Sequence, residues 1–192
     1  GRPQGFDFPG RLRARTRTRH RPVACANVVG LLPGADPRLR GEYVVFTAHL
    51  DHLGVGVPVQ GDSIHNGAYD NATGTAMLLE VARAFSRLER RPRRSILFAA
   101  VTAEEKGLQG SDYLARGPAP AGLALVGNLN LDMVLMLRPL THVIAFGAEH
   151  STLGPVVERA AKLACLGVLP DPLPEEVVFV RSDQFSFVKQ GI

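Results

Sequence analysis

The stretch VVFTAHLDHLGVGVPVQGDSIHNGAYDNATGTAMLLE, Val44 to Glu80, decides how this 192-residue chain is read. Val44, Val45 and Phe46 form a short β-branched and aromatic run, the pattern of a buried strand. The run ends in polar residues, with His49 and Asp51 two apart and His52 next. Gly54, Gly56, Gly61 and Gly67 mark a loop. Asp70 and Asn71 then precede a helical pattern in which Ala76, Leu79, Val81 and Ala82 can face a core. Imidazole and carboxylate therefore meet where a strand ends and a helix begins, the place where α/β folds put their chemistry. They are also donor types that zinc takes at catalytic sites.

Working outward, Asn27 to Leu32 (NVVGLL) reads as a short strand closed by the turn-rich PGADPRLRGE. The helix after Asp70 runs to about Arg87, and the charged ERRPRR reads as its solvated exit. Ser95 to Val101 (SILFAAV) is a second buried strand that delivers Thr102, Ala103, Glu104 and Glu105 at its end. Gly107 and Gly110 bracket a turn before a short helix over Ser111 to Arg116. Leu125 to Leu131 is a third strand, ending in Asp132 and Met133. A fourth is expected over Val143 to Phe146, a helix over Thr152 to Leu166, and a fifth strand over Val177 to Val180. Ser182 or Asp183 is placed to cap a final helix. Strands alternating with helices imply a layered α/β fold with a largely parallel sheet.

The bulk composition suits one domain with a real core, at 45% hydrophobic residues. Net charge is +4, but residues 1–24 hold seven Arg and one Asp, leaving 15 basic and 17 acidic residues beyond. The six arginines from Arg11 to Arg21 alternate strictly, which puts them on one face of an extended strand. No aromatic residues are interleaved there to stack on bases, so no nucleic-acid partner is expected and the segment reads as a solvated face near an edge or domain junction. Cys25 and Cys165 are too few for a disulfide framework. No stretch approaches the roughly 18 apolar residues of a membrane span, so no membrane partner is expected. The chain opens on Gly1 rather than Met and stops at Gly191-Ile192 after a helical pattern, as a piece of a longer protein would.

Three strand ends now carry the chemistry: His49 and Asp51, then Glu104 and Glu105, then Asp132, with Asp70 at the helix start. Asp132 alone could cap a turn, and Glu104-Glu105 alone could be a solvated loop. On one rim together, these acids repel one another unless cations neutralise them. A divalent metal is the economical solution. Asp51 suits an outer acceptor for the His49 ring N–H that faces away from it. His52 and His65 read as loop residues, and His142 and His150 match no ligand pattern.

The ordered motifs HLDHLG, NGAYDNATG, TAEEKGLQGS, NLDMV and RSDQFSF resemble the M28 family of zinc aminopeptidases, from about Asn27 to the last residue. The resemblance implies a three-layer α/β/α sandwich with a mixed, largely parallel sheet, truncated here at the C-terminus. It implies two zinc ions per full-length domain. His49 and Asp132 would bind one ion, Asp70 would bridge, Glu105 would bind the other, and Glu104 would be the general base. A fifth ligand, a histidine, is expected beyond residue 192. The implied substrate is a peptide with a free N-terminus, hydrolysed by a water that the two ions activate. Glutaminyl cyclase, on the same fold with one working zinc, is the rival enzyme; a non-catalytic metal-binding scaffold is the rival outside catalysis. Residues 1–24 are expected to join an upstream protease-associated module, with residues 25–192 forming an incomplete catalytic domain. Oligomeric state and compartment stay open, although the resemblance points to a secreted or periplasmic location, as for many relatives. Asp183 is left with two roles, helix cap or wall of the substrate side.

Overall fold

A computed structural model describes residues 4–19, 21–117, 124–134 and 137–192. The main sheet contains β1 (Val28–Leu32), β2 (Glu42–His49), β5 (Ser95–Val101) and β6 (Ala124–Asn130), in the order β1-β5-β2-β6. β2 runs parallel to β5 on one side and to β6 on the other, and β1 closes the edge antiparallel to β5. The sheet is mixed and largely parallel, as the sequence implies.

Both faces of β2 and β5 are covered, which is why these strands are apolar runs rather than clean alternations. Helix α1 (Thr73–Ser86) covers one face, where Phe85 meets Phe46 and Phe98 at centroid distances of 5.7 and 6.0 Å. The opposite face carries Val45, Leu97, Ala99 and Val101. They pack against Leu114 and Ala115 of α2 (Gln109–Ala115) and Phe187 of α4 (Gln184–Val188). Phe187 is wholly buried, a burial that contributes about 1.5–3 kcal/mol. Helix, sheet and helix make three layers.

Parallel pairing brings the C-terminal ends of β2, β5 and β6 to one rim, with His49 paired to Val101 and Thr47 to Asn130. The segments after those ends carry the predicted acids.

Elsewhere the structure corrects the sequence reading. The glycine-rich loop holds a hairpin of β3 (Gly54–Val59) and β4 (Asp62–His65). Gln60 and Gly61 turn it with φ of 50° and 89°, the left-handed pair a two-residue hairpin needs. The strand expected over Val177 to Val180 is instead a single 3₁₀ turn, Val178–Val180, entered through Val177 at φ 51° after a preceding 3₁₀ turn at Pro174–Glu176. Its valines favour a strand only where a neighbouring strand offers an edge, and none does so among the described residues. The fourth strand is shorter, β7 (His142–Ile144), and pairs outside the main sheet with β8 (Gly167–Leu169). Between them lies α3 (Gly154–Leu163), which Pro155 opens. The alternating arginines form no ladder among the described residues and are exposed; residues 1–3 and His20 lie outside that description. Both cysteines are free and exposed. No helix of the described residues is long and apolar enough to cross a membrane.

Candidate metal centre

His49 ends β2 almost wholly buried. Its Nδ1 lies 2.8 Å from the main-chain carbonyl of Asp51. A carbonyl only accepts, so Nδ1 carries a proton whether or not the ring is charged, and Nε2 is the ring nitrogen that faces the rim. The acceptor is the Asp51 carbonyl, not the carboxylate expected from the spacing. The Asp51 carboxylate instead accepts from the main-chain N–H of Ala103 at 2.6 Å, tying β2's end to the turn that carries Glu104 and Glu105. Ala103 sits at φ 57°, and Asn27 clamps the same turn by accepting from Thr102 N–H and donating to the Gly110 carbonyl.

Asp70 lies between the two histidines of the HLDH motif. Its Oδ1 is 3.0 Å from His49 Nε2, and its Oδ2 is 3.8 Å from His52 Nδ1. His52 Nδ1 in turn lies 2.6 Å from Glu105 Oε1. Asn71 holds this corner: its buried amide donates to the Leu131 carbonyl and accepts from the N–H groups of Gly74 and Met133. Helix start and β6 exit are thereby pinned together. Gly74 is required by space, since a Cβ there would stand 2.1 Å from the Leu131 oxygen.

Asp132 places Oδ1 3.4 Å from His49 Nε2, while its Oδ2 accepts from the Ser182 hydroxyl at 2.5 Å. Ser182 accepts from Asn130, and Asn130 accepts from Thr47, so Asp132 is aimed by a chain of polar contacts across three elements. Neither Ser182 nor Asp183 caps α4 with its side chain. Asp183 is fully buried, and both its carboxylate oxygens lack a hydrogen-bond partner. The supporting roles of Asn130, Thr47 and Asn27 escape the sequence reading, as does that of Ser182, which reads there only as a candidate cap. The one visible signal is the polar Asn128 and Asn130 inside an otherwise apolar strand.

The electrostatics follow from crowding. Burial opposes charging the His49 ring, yet Asp132 and the Asp51 carbonyl raise its pKa to about 9. Burial lifts Glu104 to about 7, with His49 pulling it down and Asp183, Asp132 and Glu105 adding to the rise. Burial lifts Asp183 to about 6. Burial would also raise Asp132, but His49 and Ser182 hold it below the usual carboxylate range.

His49 Nε2, Asp132 Oδ1, His52 Nδ1 and Glu105 Oε1 are all buried and form no hydrogen bond, although each lies close to an oppositely charged or polar neighbour. Unpartnered buried polar atoms are costly, and donor atoms that face one another without hydrogen-bond geometry suit a shared cation. Two groups have donor atoms within 4.8 Å of one another: His49, Glu104 and Asp132, and His52, Asp70 and Glu105. Imidazole and carboxylate together are the donor set of zinc. The residues present fit such an ion. Of the six predicted positions, His49, Asp70, Glu104, Glu105 and Asp132 line the rim, and Asp51 braces it from behind.

Fold and rim together define a layered α/β protein with a carboxylate–imidazole cluster at the ends of parallel strands whose donor atoms suit a metal ion. The chain belongs to peptidase family M28, whose model matches residues 27–192. A "Probable zinc metalloprotease" of Leptosphaeria maculans is 39% identical over 113 residues, covering 59% of this chain and 25% of that protein. A zinc aminopeptidase from Bacillus subtilis superposes with a TM-score of 0.60 at 25% identity, covering 86% of this chain and 38% of its own. A glutaminyl cyclase of Bacteroides thetaiotaomicron shares the fold with a TM-score of 0.62 at 20% identity, covering 85% and 60%. The chain therefore spans about a quarter of that fungal relative and under two thirds of either structure.

Proposed function

We propose that this chain is the catalytic part of a zinc-dependent aminopeptidase that hydrolyses the first peptide bond of a substrate with a free N-terminus. The observation that carries the reading is Asp70: one carboxylate oxygen faces His49 and the other faces the His52–Glu105 side. That is how a carboxylate shared between two cations is disposed. His49 and Asp132 would hold one ion, Asp70 would be shared, and Glu105 would hold the other. Bound zinc supplies Lewis acidity, polarising the scissile carbonyl and lowering the pKa of water.

The chain's own residues do the rest. Glu104, beside Glu105 but free of the shared Asp70 contacts, accepts a proton from the attacking water and passes it to the leaving amine. Its raised pKa, about 7, lets it both take and return that proton near neutrality. Asp51 fixes the turn that aims Glu104, and Ser182 fixes Asp132. The preference for a free N-terminus follows the Bacillus subtilis zinc aminopeptidase, and a single-zinc cyclase leaves the second donor group without a use. Residues 25–192 would form the catalytic domain, and residues 1–24 would lead into it from an upstream module.

The test is Glu104→Gln with aminoacyl-nitroanilide substrates. The expected result is a loss in kcat/KM of about 10²–10⁴, with zinc content unchanged. Undiminished turnover refutes the general-base role, and release of ammonia from N-terminal Gln in place of amino acids refutes the peptidase reading.

A further inference from the structure

The end of the sheet away from the rim carries a second concave site. There β1 ends while β2 and β5 begin. Along β2, Tyr43 is separated from His49 by about 20 Å. We propose that the cavity at this end, beside the turn that carries Arg38 and Arg40, binds a phosphate monoester borne on an apolar body.

The cavity measures about 410 Å³, a volume usual for small-molecule sites. Leu31, Pro33, Pro37 and Tyr43 supply apolar walls, and Arg38 and Arg40 line it beside them. Its frame is held by hydrogen bonds. The buried Ser95 hydroxyl donates to the Arg40 carbonyl and accepts from the Gly34 N–H. The Asp36 carboxylate accepts from the Arg38 N–H, and the Asp36 carbonyl accepts from the Arg40 N–H. The loop before β2 also lies directly on the loop before β5, where Ala35 N–H donates to the Pro92 carbonyl at 2.8 Å. Both arginines thus stand on a fixed turn, which limits the ordering that binding must impose.

Charge selects the ligand. Arg93 is matched by Asp36 at 2.9 Å and Arg94 by Glu42 at 2.7 Å. Arg38 and Arg40 pair with no carboxylate among the described residues, so two positive charges border the cavity unmatched. A phosphate monoester carries about −1.5 to −2 at neutral pH, which two guanidinium groups balance. A carboxylate or a sulfate monoester carries one charge and balances half of it. The planar guanidinium fork also fits the spacing of phosphate oxygens. The tyrosine and proline walls call for an apolar or ring body behind the phosphate, which inorganic phosphate lacks. The headgroup of an anionic lipid and a soluble phosphate ester share this chemistry. At its distance from the rim, such a ligand does not compete with a peptide substrate.

The test is calorimetric titration of the chain with phenyl phosphate, inorganic phosphate and phenyl sulfate. It is repeated on Arg38→Ala, Arg40→Ala and, as a control for net charge, Arg159→Ala on α3. All three side chains are exposed, so their removal leaves the core intact. Phenyl phosphate is expected to saturate one site, with inorganic phosphate and phenyl sulfate at least about tenfold weaker. Arg38→Ala and Arg40→Ala should each weaken phenyl phosphate at least about tenfold, while Arg159→Ala stays within about twofold. Vesicles of phosphatidylcholine doped with phosphatidic acid then separate the two sources. Capture that is lost in the Arg38 and Arg40 variants upholds the site and assigns it to a lipid headgroup. Binding of phenyl phosphate without vesicle capture upholds it and assigns it to a soluble ester. Absence of saturation by phenyl phosphate below about 1 mM overturns the proposal. So do undiminished binding in the Arg38 and Arg40 variants, and an equal loss in Arg159→Ala.

Discussion

Replacing Gly74 with Ala sets helix propensity against packing, and the two predict opposite signs. Gly74 is the second residue of α1, where Ala is favoured by up to about 1 kcal/mol over Gly. The added methyl, however, would stand 2.1 Å from the Leu131 carbonyl oxygen and 2.3 Å from Asn71 Oδ1, both far inside the 3.0 Å that real Cβ atoms respect. Neither atom can yield cheaply. The Leu131 oxygen accepts from Asn71, and Asn71 Oδ1 accepts from both Gly74 and Met133. Overpacking of this kind costs about 1–3 kcal/mol, and breaking one of the buried hydrogen bonds adds about 1 kcal/mol. After subtracting the propensity gain, the net loss is about 2 kcal/mol. Urea unfolding of the zinc-free protein isolates this term, because bound metal would add its own linkage to the folded state. The midpoint should fall with an unchanged slope. Since the displaced oxygen belongs to the residue before Asp132, zinc affinity should fall as well. A midpoint equal to or above the wild type's would refute the packing account.

Asp51→Ala separates the two jobs of that residue. The His49 ring is held by a main-chain carbonyl that survives the change, so zinc content should be unaltered. Loss of the Ala103 tether should lower kcat by about 10–100-fold, the cost usual for an outer support of a metal site. Loss of zinc with kcat per bound zinc preserved would reverse that assignment. Zinc uptake should also release protons. The metal-free His49 ring has its pKa raised to about 9, so below that pH it is protonated and the ion must displace the proton. Affinity should therefore rise with pH, about tenfold per unit for each proton displaced, and level off above the ring's pKa. Calorimetry in buffers of different ionisation enthalpy reads the proton count directly, and a pH-independent affinity through neutrality would refute it.

Much of the rim is legible in the order of residues alone. Strands β2 and β5 are buried on both faces, so their composition announces them without help from the surroundings. Parallel pairing then sends their ends to one edge, and acids at those ends follow from the order of residues along the chain. The readings that fail depend on partners distant in sequence. Val177 to Val180 has a strand's residues but no strand beside it among the described residues, and so folds as a 3₁₀ turn. The glycines after His52 read as a loop because a hairpin is created by its pairing rather than by its residue types.

The same division runs through the site. His49, Asp70, Glu104, Glu105 and Asp132 are visible in the sequence because metal chemistry restricts donors to a few residue types, and those types stand where strands end. Which atom faces which is not. The spacing of His49 and Asp51 allows either the carbonyl or the carboxylate as acceptor, and only the backbone path through Leu50 selects the carbonyl. Ser182, 50 residues from Asp132, meets it because α4 packs back on the sheet beside β6. In sequence His52 is one more loop residue; the turn at Gly67 and the hairpin before it bring its ring against Glu105. Residue types and their order set the chemistry available to this chain; long-range packing, which local sequence does not encode, chooses the atoms that would carry it out.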